Sequence, residues 1–126
     1  MRLFDTHCHL NDEAYQEDLP TIIARARAAG VEQMLVVGYD LPSSQRALQL
    51  AEAEKGIYAA VGIHPHDAAT VTDDDLRSLE AMLTHPQAVA LGEIGLDYHY
   101  DHSPRPRQQE VFRQQLALAQ KTGKPV

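Results

Sequence analysis

Four short, mostly apolar runs, at residues 3–7, 34–38, 58–63 and 88–94, alternate along the chain with four stretches whose apolar residues recur at helical spacing. Strict alternation of this kind predicts a parallel sheet, because parallel neighbours need a crossover long enough to hold a helix. Three of the four runs are nearly free of polar side chains, which predicts strands covered on both faces. The first helix is expected over 18–30, with Leu19, Ile22, Ile23 and Ala26 on one face, Pro20 in its first turn and Gly30 past its end. A second, from about 43 to 54, offers Ala47, Leu48 and Ala51 before Gly56 stops it. The third starts at Thr72, whose hydroxyl forms a capping box with Asp75, and turns Leu76, Leu79 and Leu83 inward. Asp73, Asp74 and Asp75 then favour the positive end of that helix rather than a metal. The fourth, over 107–122, is expected to bury Val111, Phe112, Leu116 and Ala119, with Gly123 as its C-cap.

After it, Lys124, Pro125 and Val126 read as the opening of a fifth strand. Four βα units and a strand start are about half of the ~250 residues of an eight-stranded barrel. Residues 1–126 are therefore expected to be one incomplete TIM-barrel domain, an α/β fold cut at its fifth strand. Such a half exposes two parallel strand edges that invite pairing with another chain, and the sequence assigns no oligomeric state.

The chemistry-bearing residues fall at the predicted carboxyl ends of the strands, where parallel α/β folds place their sites. In "FDTHCHL", residues 4–10, side chains on an extended chain alternate, so His7 and His9 point one way and Cys8 the other. Two imidazoles then reach one ion, although a His-x-His pair alone is more often the start of a polar loop. In "AVALGEIGLDY", residues 88–98, Glu93 follows five residues without a polar side chain and stands between Gly92 and Gly95. A carboxylate buried there must be paired, protonated or bound to a cation, and no Lys or Arg is near in sequence. Two His and one Glu match the count of a three-ligand zinc site, and a carboxylate's two oxygens can also bridge a pair of ions. In "VGIHPHD", residues 61–67, Pro65 breaks the alternation. His64 is read as a pocket residue that donates to substrate or positions a ligand, and His66 and Asp67 as turn and cap residues. His85 suits the end of the third helix and receives no chemical role. Residues 97–102 form a polar, aromatic loop expected to line the pocket. Arg105 and Arg107 open the fourth helix, either as an anion site or as a surface cap.

Bulk properties limit the partners. A net charge of −7 disfavours holding nucleic acid by a broad basic surface, so phosphate chemistry would need a metal to reverse the local field. No apolar run approaches the ~18 residues of a membrane span. The single cysteine makes no internal disulfide and suits a reducing cytoplasm.

"FDTHCHL", "GIHPH" at 62–66, "GEIGLDY" at 92–98 and the downstream "SPR", "QQEVF" and "KPV" together resemble the TatD family of metal-dependent hydrolases, over the whole chain and in the same order. The resemblance implies a (β/α)8 TIM barrel of the amidohydrolase-like type, cytoplasmic, acting on DNA or another phosphodiester. It implies divalent metal, Zn, Mg or Mn and expected as two ions, with His7 and His9 as first ligands and Glu93 as the shared carboxylate. His64 and Arg105 are assigned to the substrate phosphate. Two further histidines and an aspartate belong to later strands, so hydrolysis is expected of the complete protein and not of these residues alone. The rival expectations are an amide or ester hydrolase of the same barrel, such as a deacylase, and an inactive metal-binding fragment. A carboxylated lysine would favour the first, whereas Glu93 holds that place here.

Overall fold

A computed structural model describes residues Met1–Val126. Strands β1 (Leu3–Cys8), β2 (Val31–Val37), β3 (Ile57–Val61) and β4 (Ala88–Leu91) alternate with helices α1 (Leu19–Ala28), α2 (Leu41–Ala53), α3 (Asp73–Leu83) and α4 (Arg105–Thr122). The strands form one parallel sheet in the order β1-β2-β3-β4. The backbone near the C-terminus extends the ladder: the Leu91 N–H donates to the Pro125 carbonyl at 2.9 Å, beside β4.

All the helices lie against one face of the sheet. Met34, Val36, Ile57, Ala59, Val61 and Ala88 meet Ile23, Ala47, Leu48, Leu79, Leu83 and Val111 in a single core. On the opposite face Phe4 is 49% exposed, and Leu35, Tyr58 and Val89 are only partly covered. The expectation of strands covered on both faces is thus corrected for these residues. Helices on one face only are the arrangement of a barrel wall, whose second face is filled by the remaining strands.

Some element ends differ from the expected ones by two or three residues, and at α2 the cause is capping chemistry. α2 begins two residues before the expected Ser43, because Asp40 accepts from the Ser43 N–H at 2.7 Å while Ser43 Oγ accepts from the Asp40 N–H at 3.0 Å. α3 starts after Thr72 with the expected Thr72–Asp75 box. α4 starts at Arg105 rather than Arg107, with Pro106 in its first turn. Its buried stripe also differs from the reading. Gln108, Val111, Gln115 and Ala119 are buried, whereas Phe112 is half-buried and Leu116 is 39% exposed. β4 stops at Leu91, three residues short of the predicted end. No helix is long and apolar enough to cross a membrane.

Candidate metal centre

β1 delivers two imidazoles and the segment after β4 delivers a carboxylate to the same place. One ligand atom from each of His7, His9 and Glu93 lies within 4.8 Å of the others. His7 Nε2 and His9 Nε2 are 3.2 Å apart, and Glu93 Oε2 is 4.0 Å from His7 Nε2. The Val37 carbonyl, at the end of β2, accepts from His9 Nδ1 at 3.1 Å. That bond fixes the proton on Nδ1 and leaves the Nε2 lone pair facing His7 Nε2, the orientation in which a metal-ligating histidine is usually held. Two nitrogens each ~2.0–2.1 Å from one tetrahedral ion stand about 3.3 Å apart. The observed histidine spacing therefore fits a shared cation, and the Glu93 side chain needs to close by up to about 1.5 Å to join the same sphere.

Cys8, between the histidines, is directed away from them. It packs against the core beside Ile22 and Ala26, and its Sγ–H donates to the Leu35 carbonyl at 3.4 Å. Burial pushes its thiol up to about 11, so it stays protonated and is no thiolate ligand.

Glu93 is not buried in a wall of strand, as its apolar approach had indicated. It follows the end of β4 with its side chain 36% exposed, and no Lys or Arg pairs with it. Its position is set through the backbone. The Glu93 N–H donates to the Gly38 carbonyl at 2.8 Å, and the Gly92 N–H to the Val61 carbonyl at 2.9 Å. These bonds require the ends of β2, β3 and β4 to approach closely. A Cβ on Gly62 would stand 2.6 Å from the Gly92 carbonyl carbon, and one on Gly38 would stand 2.2 Å from Ser44 Oγ. Buried Ser44 closes this contact, its Oγ accepting from the Gly62 N–H at 3.1 Å.

Beside the three ligands a cleft of about 330 Å3 is lined by His9, Asp12, Tyr39, His64, His66, Asp67 and Glu93. His64 lies in it as the sequence predicted. Its Nδ1 accepts from the His66 N–H at 3.1 Å, which leaves Nε2–H free to donate. Burial, and then the neighbouring His66, depress its protonation, so the ring is neutral near pH 7. His66 is more than a turn residue. Its Nε2 bonds the Asp97 carboxylate, and its ring meets those of His64, His102 and Tyr100. Asp97 also accepts from the His99 and Tyr100 N–H groups at 2.9 and 3.1 Å, so it anchors the aromatic loop. Arg105 is outside the cleft lining. It is paired with Asp101 at 2.6 Å, and its guanidinium lies 4.5 Å from the centre of the Tyr98 ring. Arg107 bonds the Ala68 and Val71 carbonyls and Glu110. His85 bonds Glu52 at 2.7 Å, away from the site.

Sequence reading passed over Asn11, which is 4% exposed and ties this corner together by donating to the Val37 and Ser43 carbonyls, both at 3.0 Å. Its only signal was an amide side chain soon after the His-x-His pair.

The His66 bond, ahead of the backbone bond from Tyr100, holds the Asp97 carboxyl down at about 2. A depressed carboxylate stabilises the fold above its ordinary value of 3.8 and loses that contribution as pH falls toward 2. Asp97→Asn keeps an oxygen for the loop N–H groups and removes the charge. Denaturant titrations across pH are expected to find the variant less stable above about pH 5, by a margin that shrinks between about pH 4 and 2. A margin independent of pH would show that the Asp97–His66 contact carries no charge-dependent stability.

The geometry meets a consistent set of known proteins. A family model described as TatD related DNase matches residues 4–126. Over 124 residues the chain is 49% identical to the uncharacterized metal-dependent hydrolase YabD of Bacillus subtilis (strain 168), covering 98% of this chain and 49% of that protein. Over 125 residues it is 40% identical to the 3'-5' ssDNA/RNA exonuclease TatD of Musicola paradisiaca (strain Ech703), covering 98% of this chain and 47% of the relative. The chain thus spans about half the length of the curated relatives it matches. The crystal structure of YJJV, a TatD homolog from Escherichia coli K12, superposes with a TM-score of 0.90 at 37% identity, covering 99% of this chain and 49% of that one. The four βα units are the N-terminal part of a (β/α)8 barrel, and the chain belongs to the family of TatD related DNases.

Proposed function

We propose that the complete protein is a metal-dependent hydrolase of phosphodiester bonds in single-stranded nucleic acid, and that His7, His9 and Glu93 hold its divalent metal. The carrying observation is the convergence of one ligand atom from each of these three residues within 4.8 Å. The names of relatives, a metal-dependent hydrolase and a 3'-5' ssDNA/RNA exonuclease, support the reaction and the substrate. A divalent ion supplies Lewis acidity toward a phosphoryl oxygen and lowers the pKa of water it holds.

The chain's own residues bind and orient. His9 keeps its proton on Nδ1, bonded to Val37, and offers Nε2 as a ligand. Neutral His64 keeps its proton on Nε2 and donates it as a hydrogen bond to a substrate phosphate oxygen in the cleft. His66, fixed by Asp97, forms the adjoining wall. Arg105 contributes less to phosphate binding than His64, because its charge is already neutralised by Asp101. The two imidazoles lean toward Zn, whereas the Glu93 carboxylate suits Zn, Mg and Mn alike and would accommodate a pair of ions. A cytoplasmic location suits the protonated, unpaired Cys8.

The test is a 5'-labelled single-stranded oligonucleotide incubated with the full-length enzyme and Mg, Mn or Zn. Shortening from the 3' end, abolished by chelation and restored by metal, is the expected result. Undiminished cleavage after chelation, or no cleavage with any metal, would overturn the proposal.

A further inference from the structure

Two glutamines occupy the buried stripe of α4, where apolar residues would seal the core without any need for partners. Each is 1% exposed, and each uses its amide on a loop at the carboxyl end of the sheet. Gln115 Oε1 accepts from the Ile63 N–H at 2.9 Å, and its Nε2 donates to the Ile63 carbonyl at 3.0 Å. Ile63 immediately precedes His64 and lies 52 residues from Gln115 in sequence, so this is tertiary bracing and not a local cap. Two turns earlier, Gln108 Oε1 accepts from the Asp97 N–H at 2.8 Å. Its Nε2 donates to the Asp97 and Ser103 carbonyls at 3.0 and 2.8 Å. Ser103 in turn donates to the His66 carbonyl at 2.7 Å and accepts from the Ala69 N–H at 2.9 Å.

The side of the cleft that carries His64 and His66 is therefore held by one helix. Past β3 the chain has no ladder partner for the Ile63 backbone, and a buried unpaired N–H or carbonyl is costly. The amide of Gln115 satisfies both groups at once and locks the backbone from which His64 projects. Gln108 does the same for Asp97, whose carboxylate holds His66.

We propose that Gln115 and Gln108 are positioning residues of the substrate cleft. Gln115 sets the placement of His64, and Gln108 sets that of the Asp97–His66 pair. The inference rests on the proposal above that the His64 side of the cleft receives the substrate phosphate.

The test compares Gln115→Met and His64→Ala in the full-length enzyme, by steady-state kinetics on a single-stranded oligonucleotide, Mn2+ titration and nitrogen NMR of the imidazoles. Met has nearly the same length and no amide. In wild type, His64 is expected as the Nε2–H form because Nδ1 accepts from His66. Gln115→Met is expected to raise KM about tenfold, as misplacement of a binding group does, with kcat and Mn2+ affinity little changed and the His64 signals moved toward a mixture of both ring tautomers. Gln115→Asn, which keeps the amide but is one methylene too short to hold both Ile63 groups, is expected to fall between wild type and Met, and it carries the test if the Met variant does not fold. Unchanged KM and unchanged His64 signals in the folded variants, with His64→Ala still raising KM, would overturn the positioning role while leaving the cleft assignment intact. If His64→Ala leaves KM unchanged but Gln115→Met still moves the His64 signals, the bracing stands and the substrate assignment of His64 falls.

Discussion

Glu93→Gln in the intact barrel is expected to lower phosphodiester cleavage by more than about a hundredfold with metal at saturation. Loss of an outer partner of a metal ligand already costs 10–100-fold in affinity or activity, and Glu93 stands among the ligands themselves. The substitution keeps the shape of the side chain and removes only its charge. The carboxylate has no Lys or Arg partner, so its neutralisation strands no cation and the fold should be nearly unaffected. The defect should therefore appear as weaker Mn2+ or Zn2+ binding by calorimetry together with lost rate, at an unchanged melting temperature. Wild-type activity in Glu93→Gln would remove this residue from the chemistry.

A methyl group at Gly62 should be almost as damaging, although Gly62 touches neither metal nor substrate. Its Cβ would press on the Gly92 carbonyl carbon at 2.6 Å, the Gly92 oxygen at 2.8 Å and the Glu93 nitrogen at 3.0 Å. All three are backbone atoms, so no side chain can swing away and the ends of β3 and β4 must separate. Overpacking of this kind costs about 1–3 kcal/mol. Separation also strains the Gly92 N–H bond to Val61 and the Glu93 N–H bond to Gly38, which hold the carboxylate toward the histidines. Gly62→Ala in the full-length enzyme is expected to lose stability in that range by denaturant titration, and to bind Mn2+ at least about tenfold more weakly in the folded state. Stability lost with metal affinity retained would separate strand packing from the placement of Glu93.

How much of this was legible beforehand follows from the range of each interaction. The alternation of strands and helices was readable because apolar spacing is local, and the Thr72–Asp75 box because its partners are three residues apart. The α2 start rests on an equally local pair, Asp40 and Ser43, but it lies two residues ahead of the start at Ser43 that the sequence suggests. His7, His9, His64 and Glu93 were chosen from strand ends, and the parallel sheet brings all strand ends to one side. Gln108 and Gln115 were passed over because an amide in a stripe reads as a lapse in hydrophobicity. Their partners, Asp97 and Ile63, are fixed only by tertiary packing. The same holds for His66, whose bond to Asp97 spans 31 residues. Arg105 was placed toward the phosphate on helix-terminus reasoning alone, whereas Asp101 four residues before it takes up its charge.

The most direct measurement is a crystal structure of the full-length protein grown with Mn2+, with anomalous scattering used to place the ion. A peak held jointly by His7 Nε2, His9 Nε2 and a Glu93 carboxylate oxygen is expected. An intact barrel in which the ion binds elsewhere, or in which these three side chains face only solvent at saturating Mn2+, would contradict it.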